Sequence, residues 1–233
     1  MSSSTLPLPD SPETPLQRER KFVLDQATAE SFWSLASRNL RVAEPHPWPM
    51  YVRTTYFDTD DLAYYRASRG PVIRSLRVRE YGVANRAGLP IMMRACFVEL
   101  KQSAGGLRTK TRLPLQPSDV EEHLARRGGP RLAPRVTTWY KRAALHDDRH
   151  ELRLTLDEGL CFCTPIAIGS TPAGARPTNI IESGPGWVLE LKLRGEMPAW
   201  LGRVLHGLAE AVGFSKFRAG MAAMQRHQLG EEP

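Results

Sequence analysis

Hydrophobic and polar residues alternate along several short segments of the chain, and this period of two is typical of β-strands. In Val72–Tyr81, aliphatic residues intersperse with Arg74, Arg77 and Arg79. About eight segments of this kind occur, and some are joined by tight turns such as Ala104–Gly106. Turns this short join antiparallel neighbours, so the pattern predicts a largely antiparallel sheet.

A helical period occurs in fewer places. Thr28–Leu40, Ser118–Arg127 and Pro198–Val212 are predicted to be helices, and the tail up to Gln228 is predicted to be helical as well. An α+β fold is therefore expected, with helices at the edges of a sheet that can close into a barrel. The Ser/Pro-rich residues 1–17 are predicted to be a disordered leader, and residues 18–228 a single domain.

Charged residues stand two positions apart inside six of the predicted strands. Because residues i and i+2 of a strand point to the same side of a sheet, each strand places its charges on one face and its apolar residues on the other. A solvated face is the commoner explanation of any single pair. Six strands with the same pattern, and helices that need an apolar partner, favour charged faces that point into a common lumen. The groups are Glu19/Lys21, Arg77/Arg79, Glu99/Lys101, Lys110/Arg112, Arg153/Thr155/Asp157 and Glu190/Lys192.

A lumen of this kind has consequences for its contents. Clustered Lys and Arg side chains would repel one another unless an anion filled the space between them. Carboxylates in the same ring would either pair with the cations or hold a divalent metal that bridges phosphate oxygens.

Composition agrees with an anionic partner. The formal net charge is +7 and the pI is about 9.6, which suits a nucleic acid, a membrane surface or a phosphorylated small molecule. The chain shows no apolar run of membrane-spanning length and no secretory signal pattern, so a cytoplasmic location is expected. The three cysteines lack zinc-type spacing and suggest a reducing compartment.

Seven segments resemble, in the same order, the VTC domain. This is the polyphosphate polymerase domain of the vacuolar transporter chaperone complex, within the triphosphate tunnel metalloenzyme (CYTH-like) superfamily. The resemblance covers about Arg18 to Gly220, nearly the whole chain. The segments are Glu19–Phe22, Tyr56–Thr59, Leu76–Tyr81, Val98–Lys101, Arg153–Asp157, Leu189–Lys192 and Phe214–Phe217.

The resemblance implies a closed, antiparallel, eight-stranded tunnel barrel with flanking helices, ATP as phosphate donor, and Mn²⁺ or Mg²⁺ as cofactor. By position it implies phosphate contacts from Lys21, Arg77, Arg79, Lys101, Lys110, Arg142, Arg153 and Lys216, and a metal on Glu190. We accordingly assign Lys21, Arg77, Arg79, Lys101 and Lys216 to catalysis, Lys110, Arg142, Arg153 and Lys192 to substrate binding, and Glu190 with Glu99 to the metal.

Three functions are compatible with these residues. The leading hypothesis is a polyphosphate polymerase that transfers the γ-phosphate of ATP to a growing chain. Gln17 stands where tunnel triphosphatases carry the first Glu of a Glu-x-Glu-x-Lys signature, which favours the polymerase over a triphosphatase that uses water. A non-catalytic module that binds polyphosphate or nucleic acid is the third hypothesis. The expected partners are ATP and polyphosphate or triphosphate, without nucleic acid, and a membrane partner would have to be a separate chain.

Overall fold

A computed structural model describes residues 18–42, 50–68, 70, 73–104, 107–126, 131–174 and 176–231. The predicted leader, residues 1–17, lies outside the described residues, and the assignment of residues 18–228 to one domain stays a prediction. The strands are β1 (Arg18–Leu24), β2 (Arg41–Val42), β3 (Met50–Asp58), β4 (Ile73–Ala84), β5 (Pro90–Ala104), β6 (Leu107–Leu115), β7 (Ala133–Asp147), β8 (Leu152–Cys163), β9 (Ile180–Ser183) and β10 (Trp187–Leu193). The helices are α1 (Gln26–Asn39), α2 (Ala63–Ala67), α3 (Val120–Arg126), α4 (Ala199–His206) and α5 (Lys216–Leu229), with a 3₁₀ turn at Pro117–Asp119.

The strands form one antiparallel sheet, as predicted. Its order is β1-β10-β8-β7-β3-β4-β5-β6, while β2 pairs with β7 and β9 pairs with β8. The sheet therefore has ten strands rather than about eight, because the two short strands β2 and β9 were not predicted. The alternation of charged and apolar residues is kept through the register of the whole path.

The prediction of a closed barrel is wrong for the described part of the chain, in which β1 and β6 remain edge strands. The outer edge of β1 is occupied by the segment after α4: the Ala211 amide donates to the Lys21 carbonyl oxygen at 2.7 Å, and Phe22 forms a bridge with Glu210. The β6 edge carries Pro114, which has no amide hydrogen to offer a further strand. Each edge is thus protected without closure of the sheet.

Two helices cover the apolar side of the first half of the sheet, as the sequence predicts. The apolar residues of β1, β10, β8 and β7 form one core with α1 and α4, to which Phe32 and Leu201 contribute. Asp25 begins α1 by accepting a hydrogen bond from the Thr28 amide at 2.7 Å. Helix α4 is shorter than predicted and ends at Gly207, because the following residues run along β1.

The C-terminal helix α5 packs on the opposite, charged side of the sheet, which the sequence pattern did not indicate. Phe217 and Met221 contact an apolar area of that side, to which Val136 and Tyr140 belong. Gly220 permits the close approach, since a Cβ atom there would lie 3.1 Å from Phe162 and 3.3 Å from Val136. Helix α5 therefore covers one part of this side of the sheet, and charged residues line the rest.

A fully buried ion pair joins β3 to β4 on the side away from α5. Arg53 donates two hydrogen bonds of 2.7 Å to Glu80, and each side chain is 1% exposed. The loop after β8 completes the network: Gly169 donates its amide to Glu80 at 2.7 Å, and Arg53 donates to the Ser170 carbonyl oxygen at 2.9 Å. Because Arg53 and Glu80 are register partners, the pair fixes the alignment that also places Thr54 opposite Arg79.

Removal of one member of this pair should cost more stability than removal of both. We expect Arg53→Met or Glu80→Met to lower the free energy of unfolding by about 3–5 kcal/mol, because each leaves a buried charge unpaired. The double variant should lose less than either single variant, since it buries no charge. Urea unfolding at neutral pH measures all three. Arg66→Met, which breaks an exposed ion pair with Asp61, is the control and should change stability by no more than about 1 kcal/mol. A double variant whose loss of stability equals the sum of the two single losses would contradict this account.

Candidate functional site

The register of the strands places every predicted site residue of the sheet on the side that carries α5. Lys21 opposes Glu190, Arg142 opposes Asp157, and Arg77 opposes Glu99. Since directly opposite residues share a face, the charges form a continuous lining, here called the charged face. Lys216 joins it from the first turn of α5. The charged face holds the basic residues Lys21, Arg77, Arg79, Lys101, Lys110, Arg112, Arg142, Arg153, Lys192 and Lys216, and the carboxylates Glu19, Glu99, Asp157 and Glu190.

Asp157 organises the centre of the charged face. Its carboxylate is completely buried and accepts two hydrogen bonds from Arg142, at 2.6 and 2.7 Å, while Lys216 Nζ lies 2.7 Å from Oδ2. Burial alone would raise the pKa of Asp157, but the two cations outweigh it and lower the pKa below its ordinary value. One carboxylate thus holds a strand cation and a helix cation in fixed positions.

A second group lies at the β1–β10 end of the charged face. Lys21 Nζ is 2.8 Å from Glu19, and Lys192 Nζ is 2.9 Å from Glu190. Lys21 also donates to the Phe214 carbonyl oxygen at 3.1 Å, which ties β1 to the entry of α5. Burial opposes ionisation of Glu190, yet the neighbouring cations, Lys192 foremost, hold its pKa well below the ordinary value.

A third group lies on β4, β5 and β6. Glu99 accepts a hydrogen bond of 2.7 Å from Arg77 Nε, and Lys110 Nζ and Arg112 Nε lie 3.0 and 3.5 Å from its other oxygen. Burial would raise the pKa of Glu99, but Arg77 and its neighbours lower it far more. Arg79 donates to Thr54 Oγ1 at 3.1 Å. Glu99 therefore holds three cations together.

Side chains from separate elements meet over the charged face. Arg112 on β6 donates to the Tyr81 hydroxyl on β4 at 3.3 Å, and Lys216 of α5 lies 2.7 Å from Asp157 on β8. Because α5 packs on this side of the sheet, the charged face and α5 together border a cleft.

Basic groups outnumber carboxylates in this cleft. Arg142 and Lys216 lie against Asp157, while Arg77 and Arg79 lie on β4 of the same face, and a polyanion that spans the face could accept hydrogen bonds from several of them. Such an excess of positive charge in a partly desolvated cleft is repulsive when no anion is bound. The arrangement suits a ligand with many negative oxygens along its length.

The residues present fit a divalent cation at one end of the cleft. In the described part of the chain no three His, Cys, Asp or Glu residues form a metal-binding group. Glu190 lies close enough to Glu19 for its charge to oppose the lowering of the Glu19 pKa, and one or two carboxylates are the protein share that Mg²⁺ takes when phosphates supply further oxygens. Glu19 and Glu190 are also paired, with Lys21 and Lys192, but Glu99 is shared by three cations and fits a metal less well than they do.

Sequence reasoning missed the role of one functional group of the cleft. Asp157 was recognised as part of a charged triplet but not as the residue that positions Arg142 and Lys216. The period of two that joins Arg153, Thr155 and Asp157 placed it on the charged face, but its partners are distant in sequence. Tyr140 belongs to the core under α5, and the Arg142 and Lys216 cations lie 5.2 and 5.0 Å from its ring centre.

Comparisons with known proteins support the family suggested by the motifs. The VTC domain matches residues 16–130 and 123–225. No curated protein matches the chain. A solved structure of a candidate adenylyl cyclase from Hippeastrum, with a dominant triphosphatase activity, is 16% identical over 94% of this chain and 98% of that chain, with a TM-score of 0.46. A candidate adenylate cyclase from Bacillus halodurans is 17% identical over 81% of this chain and 84% of that chain, with a TM-score of 0.45. At such low identities and TM-scores, these similarities carry no inference about the reaction.

Among the described helices, none is both long enough and apolar enough to cross a membrane.

Loss of the Asp157 charge should destabilise the protein in a way that depends on pH. At pH 7, Asp157→Asn leaves Arg142 and Lys216 without their counter-charge, and we expect a loss of about 3 kcal/mol in the free energy of unfolding. The folded-state pKa of Asp157 is below the unfolded one, so its stabilisation is complete above the ordinary pKa of about 4 and is lost as the pH falls towards the folded value. The difference between wild type and variant should therefore shrink below about pH 4.

Urea unfolding at a series of pH values measures this difference. Asp60→Asn, which breaks a largely exposed pair with Arg135, is the matched control and should be nearly neutral throughout. A pH-independent loss for Asp157→Asn would show that the carboxylate charge is not what stabilises this part of the cleft.

Proposed function

This chain belongs to the VTC-domain family, and we propose that it is a polyphosphate polymerase, which transfers the γ-phosphate of ATP to the end of a polyphosphate chain. The observation that supports the proposal most strongly is the excess of partly buried cations over carboxylates on one face of the sheet. A triphosphate or longer phosphate chain is a linear polyanion that can contact groups from β1, β4, β7 and α5 together. Glu19, Glu99 and Asp157 hold Lys and Arg side chains of these elements in place before any ligand binds.

Positioning and charge neutralisation are what phosphoryl transfer mainly requires of a protein. Arg77 and Arg79 would hold one stretch of the phosphate chain, while Arg142 and Lys216 would hold another. An oxygen of the chain end attacks the γ-phosphorus, the bond from that phosphorus to the β-phosphate oxygen breaks, and ADP leaves. The attacking oxygen is already anionic, so no general base is needed. A divalent cation on Glu190 and Glu19 would neutralise phosphate charge when bound.

The proximity of Glu19 to Glu190 is also compatible with a second function, that of a triphosphatase. Two carboxylates could hold a cation and also orient a water molecule, and the same cleft would then hydrolyse a nucleoside triphosphate or tripolyphosphate. The two functions differ only in the acceptor, which is a phosphate chain end in one case and water in the other. A nucleic-acid module is not favoured, because Arg142 and Lys216 are largely buried beside Asp157 rather than part of an exposed patch.

Tripolyphosphate should stabilise the folded protein by occupying the cleft. A ligand that binds only the folded state adds about 2.7 kcal/mol at a hundredfold excess over its dissociation constant, which raises the melting temperature by several degrees. The Arg77→Ala/Arg79→Ala variant should fold but lose most of this response, because both charges line the cleft. Thermal unfolding with and without tripolyphosphate, at constant ionic strength, measures the effect.

The matched control for this experiment is Arg74→Ala/Arg94→Ala. It removes the same charge from exposed positions, one on β4 itself and one on the neighbouring β5, and its response to tripolyphosphate should equal that of the wild type. A wild-type melting curve that millimolar tripolyphosphate leaves unmoved, with and without Mn²⁺, would exclude the phosphate-binding function.

The acceptor can be identified from the products of ATP turnover. Incubation with ATP and Mn²⁺ should yield ADP and polyphosphate that forms a ladder on a stained gel, with little free phosphate. Glu190→Gln should lower the rate by about a hundredfold, because it removes a charge next to the reacting phosphates. Glu158→Gln, on the other face of the neighbouring strand, should retain wild-type activity. ADP released with an equal amount of free phosphate and no ladder would assign the triphosphatase function instead.

A further inference from the structure

The hydroxyl group of Thr155 is an unexplained polar group of the cleft. Thr155 is 6% exposed, and its Oγ1 has no hydrogen-bonding partner among the described residues. Leaving a buried hydroxyl unpaired costs about 1–3 kcal/mol, so such a group in a folded protein calls for a reason. No structural role of the hydroxyl supplies one, since Val would fill the same volume without the cost.

Thr155 lies among the charged residues of the cleft. It stands between Arg153 and Asp157 on β8, so all three side chains point to the charged face. Across the sheet it opposes Glu190 on β10 and Ala144 on β7. Ala144 is the short side chain of this row, while Glu190 and, beyond it, Lys21 are long and charged.

We infer that Thr155 is a further ligand-binding residue of the cleft, whose hydroxyl donates a hydrogen bond to a non-bridging oxygen of a bound phosphate chain. The inference rests on the proposed function, because it takes the ligand to be a phosphate chain. The neighbouring cations supply charge but no directional neutral donor at this position, and a phosphate oxygen can accept from a hydroxyl and from cations at once. Ligand binding would then give the Thr155 hydroxyl the partner that folding does not supply.

If Thr155 has this role, its hydroxyl contributes to the affinity for the ligand but not to the stability of the free protein. Thr155→Val removes the hydroxyl at nearly constant volume, so the free protein should melt at the wild-type temperature or higher. The same variant should bind tripolyphosphate about tenfold more weakly, as expected for loss of one hydrogen bond to a charged group. Isothermal titration calorimetry gives the dissociation constant, and thermal unfolding of the free protein gives the stability.

Thr137→Val is the matched control, because Thr137 is also buried but has hydrogen-bonding partners. Its Oγ1 lies 3.0 Å from Thr55 Oγ1 and accepts the Ile166 amide at 3.1 Å, on the side away from the cleft. This variant should melt several degrees lower and bind tripolyphosphate with wild-type affinity. Thr155→Ser and Thr155→Ala form a second pair that differs only in the hydroxyl, and Ser should bind several-fold more tightly than Ala even if the Val variant fails to fold.

The outcomes distinguish this inference from the function on which it rests. Equal affinity of the wild type and Thr155→Val, or of the Ser and Ala variants, would overturn the role of Thr155 and leave the phosphate-binding function intact. A Thr155→Val protein that loses stability as Thr137→Val does would show that the hydroxyl is structural. If the wild type itself shows no binding of tripolyphosphate, the proposed function fails, and the inference fails with it.

Discussion

Repulsion among the basic side chains of the cleft is the constraint on which the other features of the structure depend. Cations from seven strands and one helix lie on one face of the sheet, and partial burial strengthens their mutual repulsion. Buried carboxylates compensate part of it. Asp157 and Glu99 each hold two or more cations, which keeps guanidinium and ammonium groups in place although they repel one another. The charge that remains uncompensated is available to an anionic ligand.

The rest of the fold supports this arrangement from both sides of the sheet. On the outer side, α1 and α4 cover the apolar faces of the strands that bear Glu190 and Asp157. The buried pair of Arg53 and Glu80 fixes the alignment of β3 and β4, which bear Thr54 and Arg79 on the opposite side. On the inner side, α5 closes part of the face with apolar contacts and contributes Lys216. Rigid elements thus determine where each cation lies before a ligand binds, as expected for a site that acts by electrostatic positioning.

The sequence was sufficient to predict which side of the sheet the charges share, because the period of two is a local property of a strand. The pairs Glu19/Lys21, Glu99/Lys101 and Glu190/Lys192 follow this rule directly. Long-range relations were harder to predict. Nothing in the pattern of Lys216–Leu229 distinguishes packing on the charged side from packing on the apolar side, and the contact of Ala211 with β1 depends on a segment that had been assigned to a helix. The role of Asp157 likewise depends on neighbours that are distant in sequence.

The central claim is that the cleft binds a phosphate chain along the charged face. A crystal structure of the protein with tripolyphosphate tests it most directly. The account predicts a linear ligand whose oxygens lie within hydrogen-bonding distance of Arg77 or Arg79 on β4 and of Arg142 or Lys216 near Asp157. Ligand density confined to arginines on the outer surface, with the cleft residues unchanged and uncontacted, would contradict it.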